Sequence, residues 1–174
     1  MVTQVEFVHC LSCCALVPDN EGPTHWYMTS APGCWKLYGE LLAKEFSDYY
    51  EPDTHGLTVD AYAVTHPGEP QRVTIQSVNI HLLRLYFRLE KGVPGDRAPA
   101  LLRKILGGKE LVSRLTWLEP PSFEQTMNVT DVLEASGFEE HKELVRAWAQ
   151  SAWGAWKAVH LATIEELALE VFRD

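Results

Sequence analysis

Apolar residues recur at the spacing of an α-helix along most of this chain, and no other feature restricts the fold as strongly. The clearest segment is VTIQSVNIHLLRLYFRLEKG, residues 73–92. Its apolar residues form one continuous stripe on a helical face: Ile75, Val78, Leu82, Leu85, Tyr86 and Leu89. No two segments alternate clearly enough between apolar and polar residues to predict a pair of strands. The pattern therefore predicts an all-α fold, a bundle of about six helices.

Two helices are predicted before this segment. The first follows TSAPGCW, with Ser30 as its N-cap and Pro32 in its first turn, where a missing amide proton costs nothing. Its predicted core face consists of Trp35, Tyr38, Leu41, Leu42 and Phe46. The second helix runs from near Thr54 through HGLTVDAYAVTH. Pro67 stops it, because a residue before proline is driven out of helical geometry.

Three helices are predicted after it. APALLRKIL forms a short helix that ends at Gly107 and Gly108, and EEHKELVRAWAQSAWGAWKAVH forms a long one. A sixth helix is predicted to begin at Thr163, because TIEE fits a capping box. In this motif Thr163 is the N-cap, and the side chain of Glu166, three residues later, bonds back to the Thr163 amide.

The segment between the fourth and fifth predicted helices, residues 110–130, contains EPPS and is typical of a connector. Some extended structure is expected around residues 112–118. Asp131 with Glu134 is expected to cap a single turn that follows the connector.

Length and charge limit the class of protein. With 174 residues, 46% of them hydrophobic and 22% charged, the chain is typical of one globular domain, residues 1–174. Residues 1–30 are expected to form a cysteine-bearing N-terminal segment packed on the bundle. The net charge of −9 and the scattered basic residues argue against a nucleic-acid partner. Apolar runs are far shorter than the roughly 18 residues of a membrane span, and the first residues lack a signal-peptide pattern, so we expect no membrane partner and a cytoplasmic location.

The cysteines are the strongest candidates for a functional site. Cys10 and Cys13 have the Cys-x-x-Cys spacing with which two thiolates bind one zinc ion. Cys34 lies in the first turn of the first predicted helix, where the helix dipole favours a thiolate. If the first two helices form an antiparallel hairpin, the start of the first lies beside the end of the second, where His66 supplies a fourth ligand. The predicted metal ligands are therefore Cys10, Cys13, Cys34 and His66, in a zinc-knuckle-like site.

Other interpretations stay open at this stage. His55, at the opposite end of the second helix, would lie about 20 Å away by helix rise, but it replaces His66 if the hairpin assumption fails. Cys14 is an alternative to one member of the Cys-x-x-Cys pair, and His9 is adjacent to that pair. The cysteines are also compatible with ordinary buried thiols, or with a redox dithiol outside its usual strand–helix–strand context.

Four histidines and one aspartate lie on or at the ends of predicted helices: His55, Asp60, His66, His81 and His160. Helical bundles build metal sites from such residues, but no HExxH or Glu-x-x-His pair is present. A histidine beside an apolar stripe is more often hydrogen-bonded within the core or at its rim. We therefore expect no second metal site. No glycine-rich phosphate loop and no G-x-S-x-G elbow is present either.

Three tryptophans fall in RAWAQSAWGAW. Trp148 and Trp156 are two helical turns apart and are predicted to pack in the core. Trp153 either joins the core or adds a second face, as the wall of a ligand pocket or as a contact in a homodimer.

Several motifs together resemble an uncharacterised bacterial family, a domain of unknown function. They are CLSC, PGCWKLYGELLAKEFSD, HGLTVDAYAVTHPG, HLLRLYFRLEKG, WLEPPS and VRAWAQSAWGAW. Members open with Cys-Pro-x-Cys-Gly, followed by a Cys-Trp pair and a Leu-Thr-Val-Asp-Ala-Tyr-like helix that ends in His-Pro. The matching positions here are Cys10, Cys13, Cys34, Trp35, His55, Asp60, Tyr62 and His66. The resemblance covers nearly the whole chain and implies one domain, but no activity.

This chain departs from that family pattern at two positions. Leu11 replaces the usual proline, and Cys14 replaces the usual glycine. Because glycine tolerates a positive φ, Cys14 is the residue that fits a knuckle turn least well.

The predicted function is a structural zinc site in a binding or interaction module. Zinc held by four protein ligands has no open position, so it contributes to folding rather than to hydrolysis. The alternative is a metal-dependent hydrolase or transferase that uses three protein ligands and a water. In that case His55, Asp60 or His81 would be the general base or support a ligand.

Overall fold

Seven α-helices and one short β-hairpin form the regular structure of a computed structural model of the protein, which describes residues 5–172 apart from the side chains of residues 109 and 110. The strands are β1 (Phe7–His9) and β2 (Leu16–Pro18). The helices are α1 (Pro32–Asp48), α2 (Pro52–Thr65), α3 (Arg72–Leu85), α4 (Ala98–Gly107), α5 (Lys109–Arg114), α6 (Val129–Leu133) and α7 (Phe138–Glu170). A π-helical turn (Tyr86–Glu90) extends α3, and a 3₁₀ turn (Gly95–Arg97) precedes α4. The predicted all-α class is confirmed.

The β-hairpin was not predicted from the sequence. Its strands are antiparallel, with Phe7 opposite Pro18, Val8 opposite Val17 and His9 opposite Leu16. Each strand has only three residues, which is too short for an alternating pattern to stand out. Val17 is fully buried against the bundle, where β2 contacts α1. The cysteine-bearing segment is therefore held on the bundle by the inner face of the hairpin.

Helices α1 and α2 both begin at a proline, Pro32 and Pro52. Proline suits the first helical position because it has no amide proton to leave unpaired. The N-cap of α1 is Ala31, which makes no side-chain cap, so the prediction of Ser30 as the N-cap is wrong. Only residues 49–51 join the two helices, and such a short connection produces an antiparallel pair.

Helix α2 lies at the centre of the molecule, where it packs against α7, α3 and α1. Its apolar residues Leu57, Ala61, Tyr62 and Val64 are buried, and so are several of its polar residues. A helix that is covered on every side needs partners for its polar groups. Thr58 and Asp60 have partners on α1 and α3, and Thr65 has its partner within α2.

Helix α7 is one continuous helix, about 50 Å long at the rise of an α-helix. The prediction that a sixth helix begins at Thr163 is wrong. Ile164 and Ala168 continue the buried face of α7, so burial keeps the chain helical through the predicted capping box. Trp148 and Trp156 are fully buried, as predicted.

Trp153 is also buried, with 3% of its surface exposed, and its indole N–H donates to the Glu90 carboxylate at 2.7 Å. This burial favours the first of the two predicted alternatives for Trp153, a place in the core.

Two predictions for the connector are also corrected. Extended structure was expected around residues 112–118, but helix α5 occupies residues 109–114, and no regular element follows within the described residues until α6. Helix α6 is capped by Asn128, whose side chain accepts from the Thr130 amide, while the Asp131 carboxylate accepts from the Asn128 amide. The cap is therefore this reciprocal pair, not Asp131 with Glu134.

Candidate metal centre

The hairpin turn carries Cys10 and Cys13. The amide of Cys10 donates to the carbonyl oxygen of Ala15 at 2.8 Å, and the amide of Cys14 donates to the carbonyl oxygen of Cys10 at 3.0 Å. These two main-chain hydrogen bonds close the turn. Cys14 has a φ of 62°, in the left-handed region that favours glycine. The turn therefore has the backbone of a metal knuckle, with a cysteine where glycine fits best.

Cys34 and His66 approach this turn from the ends of the antiparallel helices. Cys34 lies in the first turn of α1, and His66 is the C-cap residue of α2, immediately before Pro67. The Sγ atom of Cys34 is 3.3 Å from Nε2 of His66. The hairpin arrangement of α1 and α2 thus brings together the two residues that the sequence placed at adjacent helix ends.

The four candidate ligands form one cluster. Their ligand atoms all lie within 4.8 Å of one another, and each residue is at most 1% exposed. The Sγ atoms of Cys13 and Cys34 are 3.8 Å apart. A tetrahedral ion with metal–sulfur bonds of about 2.3 Å holds two sulfurs roughly 3.8 Å apart. The donor set and its spacing therefore fit a metal ion.

The imidazole of His66 is oriented by main-chain contact. Its Nδ1 lies 2.8 Å from the carbonyl oxygen of Tyr62, which can only accept a hydrogen bond. Nδ1 therefore carries the proton, and the lone pair of Nε2 faces the sulfurs. Such an outer hydrogen bond is the usual partner of a metal-binding histidine.

Two hydrogen-bond donors face the sulfur atoms. The Ala31 amide donates to Sγ of Cys10 at 3.4 Å, and the Tyr62 hydroxyl donates to Sγ of Cys34 at 3.8 Å. Burial raises the pKa of Tyr62, so its hydroxyl remains neutral and able to donate. Its ring also stacks on the His66 ring at 3.8 Å and on the Tyr38 ring at 3.7 Å. Tyr62 thus shapes one wall of the cluster.

The acidity of the thiols indicates how much charge the cluster holds by itself. A hydrogen bond from the Cys13 thiol lowers the pKa of Cys10 far below its usual range. The hydrogen bond with Cys10 raises the pKa of Cys13, and it raises the pKa of Cys34 to about 12. Buried thiols this close together oppose one another's ionisation, and a bound cation would favour the thiolate form of all three.

Two glycines allow the surrounding segments to approach the cluster. A Cβ atom at Gly33 would overlap the carbonyl oxygen of Pro18 in β2, and one at Gly68 would overlap the carbonyl oxygen of Tyr27. Each glycine lies within two residues of a candidate ligand, Cys34 or His66. Sequence reasoning missed both positions, although the PGC and HPG motifs placed a glycine beside each ligand.

The other residues near the Cys-x-x-Cys pair lie outside the cluster. Sγ of Cys14 contacts the carbonyl oxygen of Ser12 at 4.0 Å, and Nδ1 of His9 lies 3.0 Å from the carbonyl oxygen of Cys14. Neither belongs to the group of ligand atoms. The structure therefore places Cys14, the alternative to one member of the Cys-x-x-Cys pair, outside the cluster, together with the adjacent His9.

His55, the alternative fourth ligand, lies in a different polar group. Its Nδ1 lies 2.7 Å from the carboxylate of Glu45, which His141 contacts at 3.0 Å and to which the Thr58 hydroxyl donates at 2.5 Å. Glu45 is buried on the core face of α1, whereas Phe46, predicted on that face, is 60% exposed. Burial raises the pKa of Glu45, but the hydrogen bonds from His141, Thr58 and His55 outweigh it and hold the pKa below its usual range.

Asp60 and His81 form a third polar group. Nδ1 of His81 lies 2.7 Å from the Asp60 carboxylate, and the Arg84 Nε donates to the same oxygen at 3.2 Å. His160 lies apart from both groups, with Nε2 2.8 Å from the carbonyl oxygen of Glu119. In the part of the chain that the structure describes, the Cys₃His group is the one set of three or more ligand residues within reach of a single ion. Glu45 and His141 were missed by sequence reasoning, although Glu45 follows Leu41 at core-face spacing.

The fold and the cluster define a helical protein with a Cys₃His group that can hold a metal ion. The chain belongs to a family of unknown function, DUF5946, whose family model matches residues 8–157. No curated protein and no solved structure matches the chain. Among residues 5–172, no helix has both the length and the apolar character needed to cross a membrane.

Proposed function

We propose that Cys10, Cys13, Cys34 and His66 bind one zinc ion that stabilises the fold, and that the protein is a binding or interaction module. The closed ligand set carries this proposal: four buried side chains within 4.8 Å of one another provide all the ligands of a tetrahedral structural site. Three thiolates and an imidazole favour zinc over magnesium or calcium, which prefer oxygen ligands.

The role of the ion follows from the segments it would join. The ligands come from the β-hairpin, the start of α1 and the end of α2. A two-stranded hairpin alone is marginally stable in water, so residues 7–18 need an additional link to the bundle. Zinc binding would provide that link, and its binding free energy would then contribute to folding.

We further infer a single domain, residues 1–174, in a bacterial cytoplasm. All four cysteines are free, although Cys13 and Cys34 are adjacent. A reducing compartment keeps such thiols available to a metal.

The enzyme alternative, a metal-dependent hydrolase or transferase, receives no support from the contacts of its candidate bases. His55, Asp60 and His81 each contact partners outside the Cys₃His group. A catalytic zinc also needs one position left open for water, whereas four protein side chains converge here.

Metal content tests the zinc proposal. Protein purified without a histidine tag is expected to contain about one zinc per chain by plasma emission spectroscopy, and less than about a tenth of an equivalent would refute the proposal. His66→Ala is expected to lose zinc and to melt at a lower temperature. Cys14→Ser is the matched control, because Cys14 lies beside the ligands but outside the cluster, so it should retain zinc. If His66→Ala keeps both its zinc and its melting temperature, His66 is not a ligand.

A further inference from the structure

A groove of about 410 Å³ lies directly beside the Cys₃His group. Three segments and Thr29 form its walls: the knuckle turn with Leu11 and Ser12, residues 67–70 after His66, and residues 117–123 of the connector. We call it the knuckle groove. The last segment contains the WLEPPS motif, which has no part in the metal centre.

The walls of the knuckle groove are held in place by the fold. The Ser12 hydroxyl donates to the carbonyl oxygen of Thr65 at 2.9 Å, which fixes the knuckle turn against the end of α2. The Trp117 indole N–H donates to the Glu119 carboxylate at 3.0 Å. Phe123 is buried beneath the connector, with its ring 6.2 Å from that of Trp156. A groove that exists before binding loses little entropy when it takes a ligand.

The proline and aromatic residues of the groove suit an extended chain. Four prolines line the groove together with Trp117, and Leu11 at the turn is 90% exposed. Aromatic-lined grooves bind extended, proline-containing segments, whose conformation is already restricted before binding, and Trp117 and Phe123 are the aromatic residues here. An exposed leucine beside them offers a contact for an apolar side chain.

The charge of the groove indicates the sign of the charge that its partner carries. The ionisable side chains that line the groove are the carboxylates of Glu69 and Glu119, and no Lys, Arg or His is among its described lining residues. Both glutamates are exposed, and neither forms an ion pair with another residue of the range 5–172. Two carboxylates without a cationic partner favour a positively charged ligand and repel an anionic one such as nucleic acid.

We propose that the knuckle groove binds an extended peptide segment of a partner protein, in which arginine or lysine stands beside proline or leucine. This inference rests on the proposed function, because it names the partner class of the interaction module. It also links the metal to binding: Leu11 lies between Cys10 and Cys13, and residues 67–70 directly follow His66. Loss of zinc would displace both of these wall segments.

Fluorescence anisotropy with labelled peptides tests the proposal on the zinc-loaded full chain. The probe is an octapeptide that repeats arginine, proline and leucine; the comparison peptides have glutamate or glutamine in place of arginine. The arginine peptide is expected to bind at least about tenfold more tightly than the glutamate peptide, and more weakly as salt is added. Equal affinity for the arginine and glutamate peptides would overturn the proposal.

Charge-reversal variants locate the site. The double variant Glu69→Lys with Glu119→Lys is expected to weaken binding of the arginine peptide by about tenfold or more. The double variant Glu40→Lys with Glu143→Lys changes the net charge equally at exposed positions outside the groove, and it should leave binding within about twofold. Equal losses in the two double variants would show attraction by overall charge and would overturn the assignment to the groove.

Metal analysis of the same samples separates the two proposals. Zinc-loaded protein that does not prefer the arginine peptide refutes the groove and leaves the structural zinc in place. Protein without zinc refutes the proposed function itself. Removing zinc with 1,10-phenanthroline is expected to abolish peptide binding, and full binding by the zinc-free chain would contradict the link between the metal and the groove.

Discussion

Substitution of Gly33 by alanine tests how the metal centre is assembled. Gly33 lies in the first turn of α1, next to Cys34, and a Cβ atom there would overlap the carbonyl oxygen of Pro18. Because Pro18 ends β2, the overlap can be relieved only if the hairpin moves away from α1. The substitution therefore separates Cys10 and Cys13 from Cys34 without removing any ligand.

The size of this separation decides the outcome. Relieving the overlap requires a shift of about 1 Å, since carbon and oxygen atoms that are not bonded pack no closer than roughly 3.3 Å. Metal–ligand distances tolerate only about 0.2 Å, so the shift cannot be absorbed by the site. We expect the zinc affinity of Gly33→Ala to fall by at least about tenfold, the effect of other perturbations outside the ligand set. Strain from overpacking adds about 1–3 kcal/mol of destabilisation.

Gly39→Ala is the matched control on the same helix. Nothing lies within 4 Å of a Cβ atom at Gly39, so alanine should only improve helix propensity, by up to about 1 kcal/mol. Zinc affinity is measured by competition with a chromophoric chelator, and stability by thermal melting followed by circular dichroism. If Gly33→Ala proves too unstable to purify, Gly68→Ala tests the same reasoning at the His66 side, where a Cβ atom would overlap the Tyr27 carbonyl oxygen. The reasoning is refuted if Gly33→Ala binds zinc as tightly as Gly39→Ala and is no less stable.

Three further predictions concern stability. Cys14→Gly is expected to raise the free energy of unfolding by about 1 kcal/mol, because Cys14 has a φ of 62°; chemical denaturation that shows no gain would contradict a strained turn. Glu45→Gln is expected to cost about 2 kcal/mol at neutral pH. Because the folded pKa of Glu45 is lowered, its charge stabilises the fold above the ordinary pKa of 4.5, and this contribution is lost as the pH falls below that value. The stability difference between wild type and Glu45→Gln should therefore shrink in acid, and a constant difference from pH 7 to pH 3 would contradict the ionised state. Trp156→Phe is expected to cost about 1–3 kcal/mol, because the indole N–H donates to the Val64 carbonyl oxygen at 2.9 Å near the end of α2; equal denaturation midpoints would contradict this role.

Much of the secondary structure was predictable from local signals. Helical periodicity located the helices from α1 to α4 and the start of α7, and Pro32 and Pro67 marked where α1 begins and α2 has ended. The errors fall where local signals were weak or were overridden. The three-residue strands are too short to show alternation, and burial of Ile164 carries α7 through a segment that looked like a helix start.

The sequence by itself determined the chemistry of the candidate site: thiols at Cys-x-x-Cys spacing, a third thiol at a helix start, and a histidine before a proline. Such features are local, because they depend on residue type and on spacing along the chain. Which histidine joins the cysteines depends on the direction in which α1 and α2 run past each other. Tertiary structure decided in favour of His66, and it placed His55 beside Glu45 instead.

Tertiary structure also decided what surrounds the site. The overlap that alanine would create at Gly33, the ring of Tyr62 against His66, and the groove between the knuckle turn and the connector all join residues far apart in the chain. His141 reaches Glu45 across 96 positions. A pattern read along the sequence contains no information on such distances in space, because they are set by how the helices pack around α2.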